Sequence, residues 1–375
     1  MNIVRFMVLF TLVVITFSNC STDFELNSEW KEIAIVYGLL DQSETRQYIR
    51  LNKAFLSEEN AIEVAGVTDS LYFKNAKVVI NEYSGSVAFQ KDRFVWDGSK
   101  NLIKTIEFQK VEASAIDTLP QKEEGIFANN PYFLYYTDEP LNEDMIYELV
   151  VTTDLGAEVT AITPLVKDFN TIYPRPQVQQ DDPPDELNIE ADSKAIRWKN
   201  AGNAYIYDLD IEFKYREAPN NDPDNSVIKT ITYPVFNSIK LNSLEISSTS
   251  STLEKDLVSN SLLMFLANRI GTEDAEKFKR SLFNPSFKFT FYAGSRTLDE
   301  FTTIANVSES SVSAGSAKPI YTNIENGVGL FGARFKKDVY ANVREGGSFK
   351  KFVCGDITGP LNFTPSFNGA SVTCN

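Results

Sequence analysis

Short apolar runs, most of them alternating polar and apolar and each cut by a turn, fill this chain from Glu32 onward and direct it to a mainly β fold of antiparallel sandwiches. Residues 33–37 end at Gly38, residues 48–55 and 76–83 alternate, and Phe94-Val95-Trp96 stops at Asp97-Gly98. The alternation resumes over residues 102–111, while the continuous run at 132–136 reads as a buried strand. Two runs, Tyr147 to Val151 and Val159 to Ile162, flank Asp154-Leu155-Gly156 and predict a hairpin. A first β-sandwich domain is therefore expected over residues 26–167.

A Pro- and Asp-rich stretch, 168–190, follows and reads as a linker, because Pro174, Pro176, Pro183 and Pro184 exclude a helix or a central strand. The alternative for its acidic residues is a Ca²⁺ cluster at Asp181, Asp182 and Asp185. A second β-rich domain is expected over 191–375, with Trp198 as a core anchor and a strand across residues 204–215. The acidic stretch from Asn220 to Asn225 resembles a calcium loop, but its sixth position from Asp222 is Val227 and its twelfth is Tyr233, so it reads as a hairpin tip. Ser251-Thr252-Leu253-Glu254 matches a capping box ahead of Leu257, Leu262 and Leu266. A short helical insertion is expected near 252–281, its second helix running from Thr272 to Arg280 with Glu273 and Asp274 at its positive end.

The chain has no histidine among its 375 residues, which removes histidine-based triads and most zinc and iron sites from consideration. Its 51 acidic against 36 basic residues give a net charge of −15, unfavourable for a nucleic-acid partner. No nucleophile elbow, phosphate loop or dinucleotide fingerprint is found. The sequence thus assigns no catalytic residue, no metal ligand and no cofactor, and the expectation is a protein that is not an enzyme.

The amino-terminal segment carries one basic residue, Arg5, ahead of an apolar core at 6–17, shorter than the roughly 20 residues that span a bilayer. Phe17-Ser18-Asn19-Cys20 resembles a lipobox, with Asn19 where a small residue is usual. That resemblance implies a signal peptide over 1–19 and a lipid on Cys20. Ser21, Thr22, Asp23, Phe24 and Glu25 resemble the acidic export signal of Bacteroidota surface lipoproteins, so residues 20–25 are expected to carry the anchor and the address. Two or more acyl chains suffice for stable attachment. Of the remaining cysteines, Cys354 and Cys374 are read as a disulfide of an exported protein, the alternative being two free or buried thiols. Asp69-Ser70-Leu71 and Asp117-Thr118-Leu119 resemble the acceptor motif for O-glycans in the same bacterial group, which implies modification at Ser70 and Thr118.

The closing hairpin of the first domain, with Tyr147, Leu149 and Val151 followed by Ala161, Thr163 and Pro164, resembles the end of immunoglobulin-like or fibronectin type III modules. Residues 320–334, rich in glycine around Gly327-Val328-Gly329-Leu330-Phe331-Gly332, together with Tyr37-Gly38-Leu39-Leu40, resemble uncharacterised Bacteroidota outer-membrane lipoproteins. Some of those are associated with TonB-dependent receptors. The resemblance implies a lipid-anchored protein of the outer membrane that faces the cell exterior. It would act as a non-catalytic accessory subunit of an outer-membrane β-barrel complex, in nutrient uptake or in outer-membrane protein assembly or secretion. Other surface lipoproteins are further expected partners. The alternative is a free-standing glycan- or nutrient-binding lipoprotein that stacks sugars on Trp30, Trp96 or Trp198.

Overall fold

The computed structural model describes residues 33–374 apart from 55–60, 117, 118, 120–124, 129, 180, 243, 244, 246, 247, 273, 274, 311–319 and 368. The first half holds nine strands, seven in the sandwich and β4 with β5 in a separate two-stranded hairpin: β1 (Ala34–Leu40), β2 (Gln47–Lys53), β3 (Lys77–Ser84), β4 (Val87–Gln90), β5 (Arg93–Trp96), β6 (Asn101–Glu112), β7 (Phe133–Thr137), β8 (Ile146–Thr152) and β9 (Glu158–Pro164). One layer runs β1-β2-β7 and the other β6-β3-β8-β9, the order of an immunoglobulin-type sandwich. Strand β6 is long enough to serve both layers. Asn101 to Phe108 pair with β3, and Gln109 to Glu112 pair with β7.

Alternation explains the packing. In β1, Ala34, Val36 and Leu40 point inward against Ile49, Leu51, Val78, Ile80, Leu149 and Val151 in one core. Each fully buried aliphatic side chain of this kind contributes about 1.5–3 kcal/mol. At the start of β8 the buried Tyr147 hydroxyl accepts the Asn142 N–H at 2.7 Å and donates to Glu82 at 2.9 Å. This is a tyrosine corner, and burial raises the phenol's pKa. The expected hairpin is present, with Gly156 at φ +82° in its turn. The run at 132–136 departs from expectation, since in β7 only Tyr135 and Thr137 are buried. The outer face of its layer meets solvent, and there Arg46 lies 4.5 Å from the Tyr136 ring centroid.

The second sandwich contains β10 (Thr171–Tyr173), β11 (Asp185–Leu187), β12 (Ser193–Lys199), β13 (Ile206–Pro219), β14 (Val227–Lys240), β15 (Thr252–Val258), β16 (Phe278–Gly294) and β17 (Gly327–Val343). Layers β10-β12-β15 and β14-β13-β16-β17 close on Trp198, whose ring stacks 5.6 Å from Phe236 and lies 5.5 Å from Tyr207. The opposite face of the larger layer is a charged ladder: Glu212 pairs with Lys214 and Lys288, and Thr290 donates to Asp338. At the far end Phe213 meets Phe352 of the helix Gly347–Cys354, and Cys354 is bonded to Cys374 with their Cα atoms 5.3 Å apart. A two-residue ladder of β18 (Ser366–Phe367) and β19 (Ala370–Ser371) lies inside that loop.

The Pro-rich stretch is built into this sandwich at two places. Strand β10 pairs with β12, and β11 pairs in parallel with β17. Its carboxylates hold turns: Asp182 accepts the Gln179 N–H at 2.8 Å and Asp185 the Arg175 N–H at 2.7 Å. Asn220 to Asn225 form the tip between β13 and β14, as expected.

Helix placement requires correction. Residues 252–258 are β15, paired with β12 from Ser193 to Lys199, and the helix begins only at Ser259 and ends at Ile270. Leu253 and Leu257 are four apart, a spacing that lines one face of a helix and equally one face of a strand. The open edge of β12 decides in favour of the strand. The second helix shrinks to a single turn, Ala275–Lys277, since Phe278 to Leu282 join the ladder against β13. There Arg280 donates to the buried Glu217 at 2.7 Å. Glu273 and Asp274 lie outside the described residues. A helix absent from the sequence reading, Arg296–Ser310, joins β16 to β17.

The two sandwiches share a sheet. Strand β1 runs parallel to β17, with Ala34 to Leu40 in register with Gly327 to Ala333. The two glycine-containing stretches singled out in the sequence are therefore hydrogen-bonded neighbours. A Cβ on Gly329, at φ +122°, would lie 1.9 Å from the Val36 carbonyl oxygen. Glycine is required there for the strands to meet. Across the seam Arg334 pairs with the buried Asp41 at 3.1 Å, and Lys337 with Asp168 at 2.7 Å.

Candidate functional site

On the outer face of β1 and β2, cross-strand partners alternate with the core. Tyr37 stands opposite Arg50, and Ile35 opposite Asn52. The short helix Thr68–Leu71 passes over this face and brings Leu71 and Tyr72 to it, while Phe127 lies alongside. These residues, with Lys53 and Ala54, line a cleft of about 530 Å³, within the size range of ligand and side-chain pockets.

Polar contacts set its shape. The Arg50 Nε donates to Asn52 Oδ1 at 2.7 Å, and Asn52 Nδ2 donates to the Leu71 carbonyl at 3.2 Å. Lys53 Nζ donates to the Asp69 carbonyl at 3.0 Å. Tyr72 is held edge-on against Phe133, with centroids 5.3 Å apart. On the seam side Tyr37 meets Phe301 at 6.2 Å, and Phe301 meets Tyr321 at 6.4 Å. Arg50 and Lys53 are the two cations that line the cleft. Among the described residues neither forms an ion pair with a carboxylate, whereas Arg46, Arg93, Lys100 and Lys104 each do.

The rim is apolar and open. Tyr37 is 40% exposed, Val67 51%, Phe127 47% and Ile126 58%. The Ala128 N–H donates to the Ala65 carbonyl at 2.9 Å, which sets Ile126 and Phe127 beside the helix Ala61–Ala65 and its exposed Ile62. Large apolar side chains gathered in this way mark contact surfaces more than scattered ones do.

Of the residues singled out in the sequence, Ser70 lies within the helix Thr68–Leu71, half-buried, with its N–H on the Val67 carbonyl at 3.1 Å. Cys20, Ser21, Thr22, Asp23, Phe24, Glu25, Thr118 and Trp30 lie outside the described residues. Trp198 is buried and closed to any ligand. Trp96 is half-buried, edge-on to Tyr83, and the Lys100 ammonium sits 4.7 Å from its ring centroid, where a sugar would stack. Arg50, Lys53, Tyr72 and Phe127 escaped the sequence reading. Alternation puts Tyr37 and Arg50 on an outward face, but which loops gather over that face is a tertiary property.

No protein family matches the sequence, and no curated protein does. Similar solved structures include the C-terminal globular domain of an oligosaccharyltransferase from Pyrococcus abyssi, at 14% identity and a TM-score of 0.21, covering 66% of this chain. This chain spans 44% of that one. CBD12 from CALX1.2 aligns at 9% identity and a TM-score of 0.15, covering 82% of this chain and 99% of its own. Likenesses this slight carry nothing about activity.

Proposed function

We propose that this chain is a non-catalytic accessory subunit of an outer-membrane β-barrel complex, held at the outer face of the membrane by a lipid on Cys20. The observation that carries the reading is the apolar rim around the β1–β2 cleft. Tyr37 stands on β1, which the parallel seam braces, and the Ala128-to-Ala65 hydrogen bond ties Ile126 and Phe127 to the helix Ala61–Ala65, so a partner would meet side chains already gathered. The lipobox-like Cys20 and the acidic stretch from Ser21 to Glu25 support the location, and the glycine-rich motifs support kinship with surface lipoproteins. The barrel would serve nutrient uptake, or the assembly or secretion of outer-membrane proteins, and other surface lipoproteins would join it.

The test is purification of the carboxyl-terminally tagged chain from native membranes in mild detergent, followed by mass spectrometry. A barrel recovered in stoichiometric amount, and lost on Phe127→Glu, is the expected result. Recovery of the chain alone would overturn the proposal.

A further inference from the structure

The chemistry of the cleft narrows what the partner presents. Its walls are aromatic and aliphatic, from Tyr37, Tyr72, Phe127 and Leu71, and its charged groups are both cations, Arg50 and Lys53. Neither cation has a carboxylate partner among the described residues, so each can answer a carboxylate brought by a ligand. The contacts each does make leave donors over. Arg50 engages Asn52 through Nε, and the lysine gives one hydrogen bond to a carbonyl. A guanidinium has five N–H donors and an ammonium three, so most remain open to a ligand.

Tyr37 and Arg50 are directly opposed on antiparallel strands, a placement that brings an aromatic ring and a guanidinium within about 5.5 Å at Cβ. A ligand that sets an apolar group against Tyr37 therefore meets the cation beside it.

We infer that the cleft receives an extended, acidic segment of the partner in which an aromatic or large apolar side chain is flanked by Asp or Glu. The apolar side chain fills the space between Tyr37, Tyr72 and Phe127, and the flanking carboxylates pair with Arg50 and Lys53. The inference rests on the docking reading for its partner, and its own chemistry can be tested without one. The scale suits a single side chain with its neighbours: about 530 Å³ exceeds what one ring needs and falls short of a folded element.

The experiment titrates the full chain in detergent by calorimetry, against a detergent blank, with the blocked peptide Gly-Asp-Phe-Asp-Gly and its isosteric amide Gly-Asn-Phe-Asn-Gly. The acidic peptide should bind the wild-type protein at least about fivefold more tightly than the amide, the gain of two partly exposed charge pairs. The double variant Arg50→Gln/Lys53→Gln should erase that difference while still unfolding in a cooperative thermal transition, which shows that the protein remains folded. Equal binding of the two peptides by the wild type, or an undiminished preference in the double variant, would overturn the inference. The same variant carried through the membrane purification separates the two proposals. A barrel that co-purifies with it undiminished leaves the docking surface standing and refutes the acidic segment. A wild-type chain recovered alone refutes the docking, while the titration still decides the chemistry.

Discussion

Replacing Gly329 by alanine should break the seam between the sandwiches. The added Cβ would sit 1.9 Å from the Val36 carbonyl oxygen, at φ +122°. Ordinary carbon–oxygen contacts lie at about 3.3–3.6 Å, so the strands must separate locally. Two effects add. The backbone strain of a non-glycine residue in that region is about 1–3 kcal/mol. Opening the β1–β17 ladder around Val36 forfeits two or so backbone hydrogen bonds, each worth about 0.5–1.5 kcal/mol. The sum is about 2–6 kcal/mol. Gly156→Ala is the control, because at φ +82° nothing lies within 4 Å of its Cβ. Only the left-handed conformation is penalised there, by about 1–2 kcal/mol. Urea unfolding followed by tryptophan fluorescence can resolve the two halves, as Trp96 belongs to the first and Trp198 to the second. In Trp30→Phe/Trp96→Phe and Trp30→Phe/Trp198→Phe backgrounds, which leave one tryptophan each, Gly329→Ala should move both transitions, because β1 and β17 belong one to each sandwich. A Gly329→Ala shift no larger than that of Gly156→Ala would refute the role of the seam.

Cys354→Ser/Cys374→Ser should lower stability by roughly 3 kcal/mol through the released loop, read as a loss of urea midpoint in the Trp198-reported transition. Arg280→Met should destabilise the second sandwich by about 1.5–3 kcal/mol, the worth of a hydrogen bond to a charged group, since Lys229 remains as the ion-pair partner of Glu217. Burial pushes the Glu217 carboxyl up, but hydrogen bonds from Lys229 and Arg280 more than offset this and hold its pKa below the usual value. A depressed carboxylate pKa stabilises the folded state above the unfolded value, about 4.3 for Glu, and that contribution is lost as pH falls through the folded value. Wild-type stability should therefore decline through that acidic window, and the decline should be shallower in Arg280→Met when urea midpoints are compared across pH.

Much of the architecture is written locally. The period-two runs identify most strands, Asp154-Leu155-Gly156 marks its hairpin, and the paired cysteines their staple. What failed to read has a common cause. Leu253 and Leu257 satisfy two periodicities at once, and only the free edge of β12 selects one. The helix Arg296–Ser310 is rich in Thr and Ser, weak helix formers, and is held by β17: a Cβ on Gly332 would meet the Thr297 hydroxyl at 2.6 Å. The glycines of 327–332 were legible as a demand for conformational freedom, but not as a docking edge for a strand nearly three hundred residues earlier. The cleft is illegible for the same reason, as Arg50, Tyr72 and Phe127 come from separate elements.

The most direct test of the docking surface is photo-crosslinking in living cells, with p-benzoylphenylalanine placed at Tyr37 or Phe127 and, as the remote control, at Met264 on the exposed side of the helix Ser259–Ile270. Crosslinks to one outer-membrane barrel from positions 37 and 127, and none from 264, are the predicted result. Crosslinks that are absent from the cleft, or equally abundant at all three positions, would contradict it.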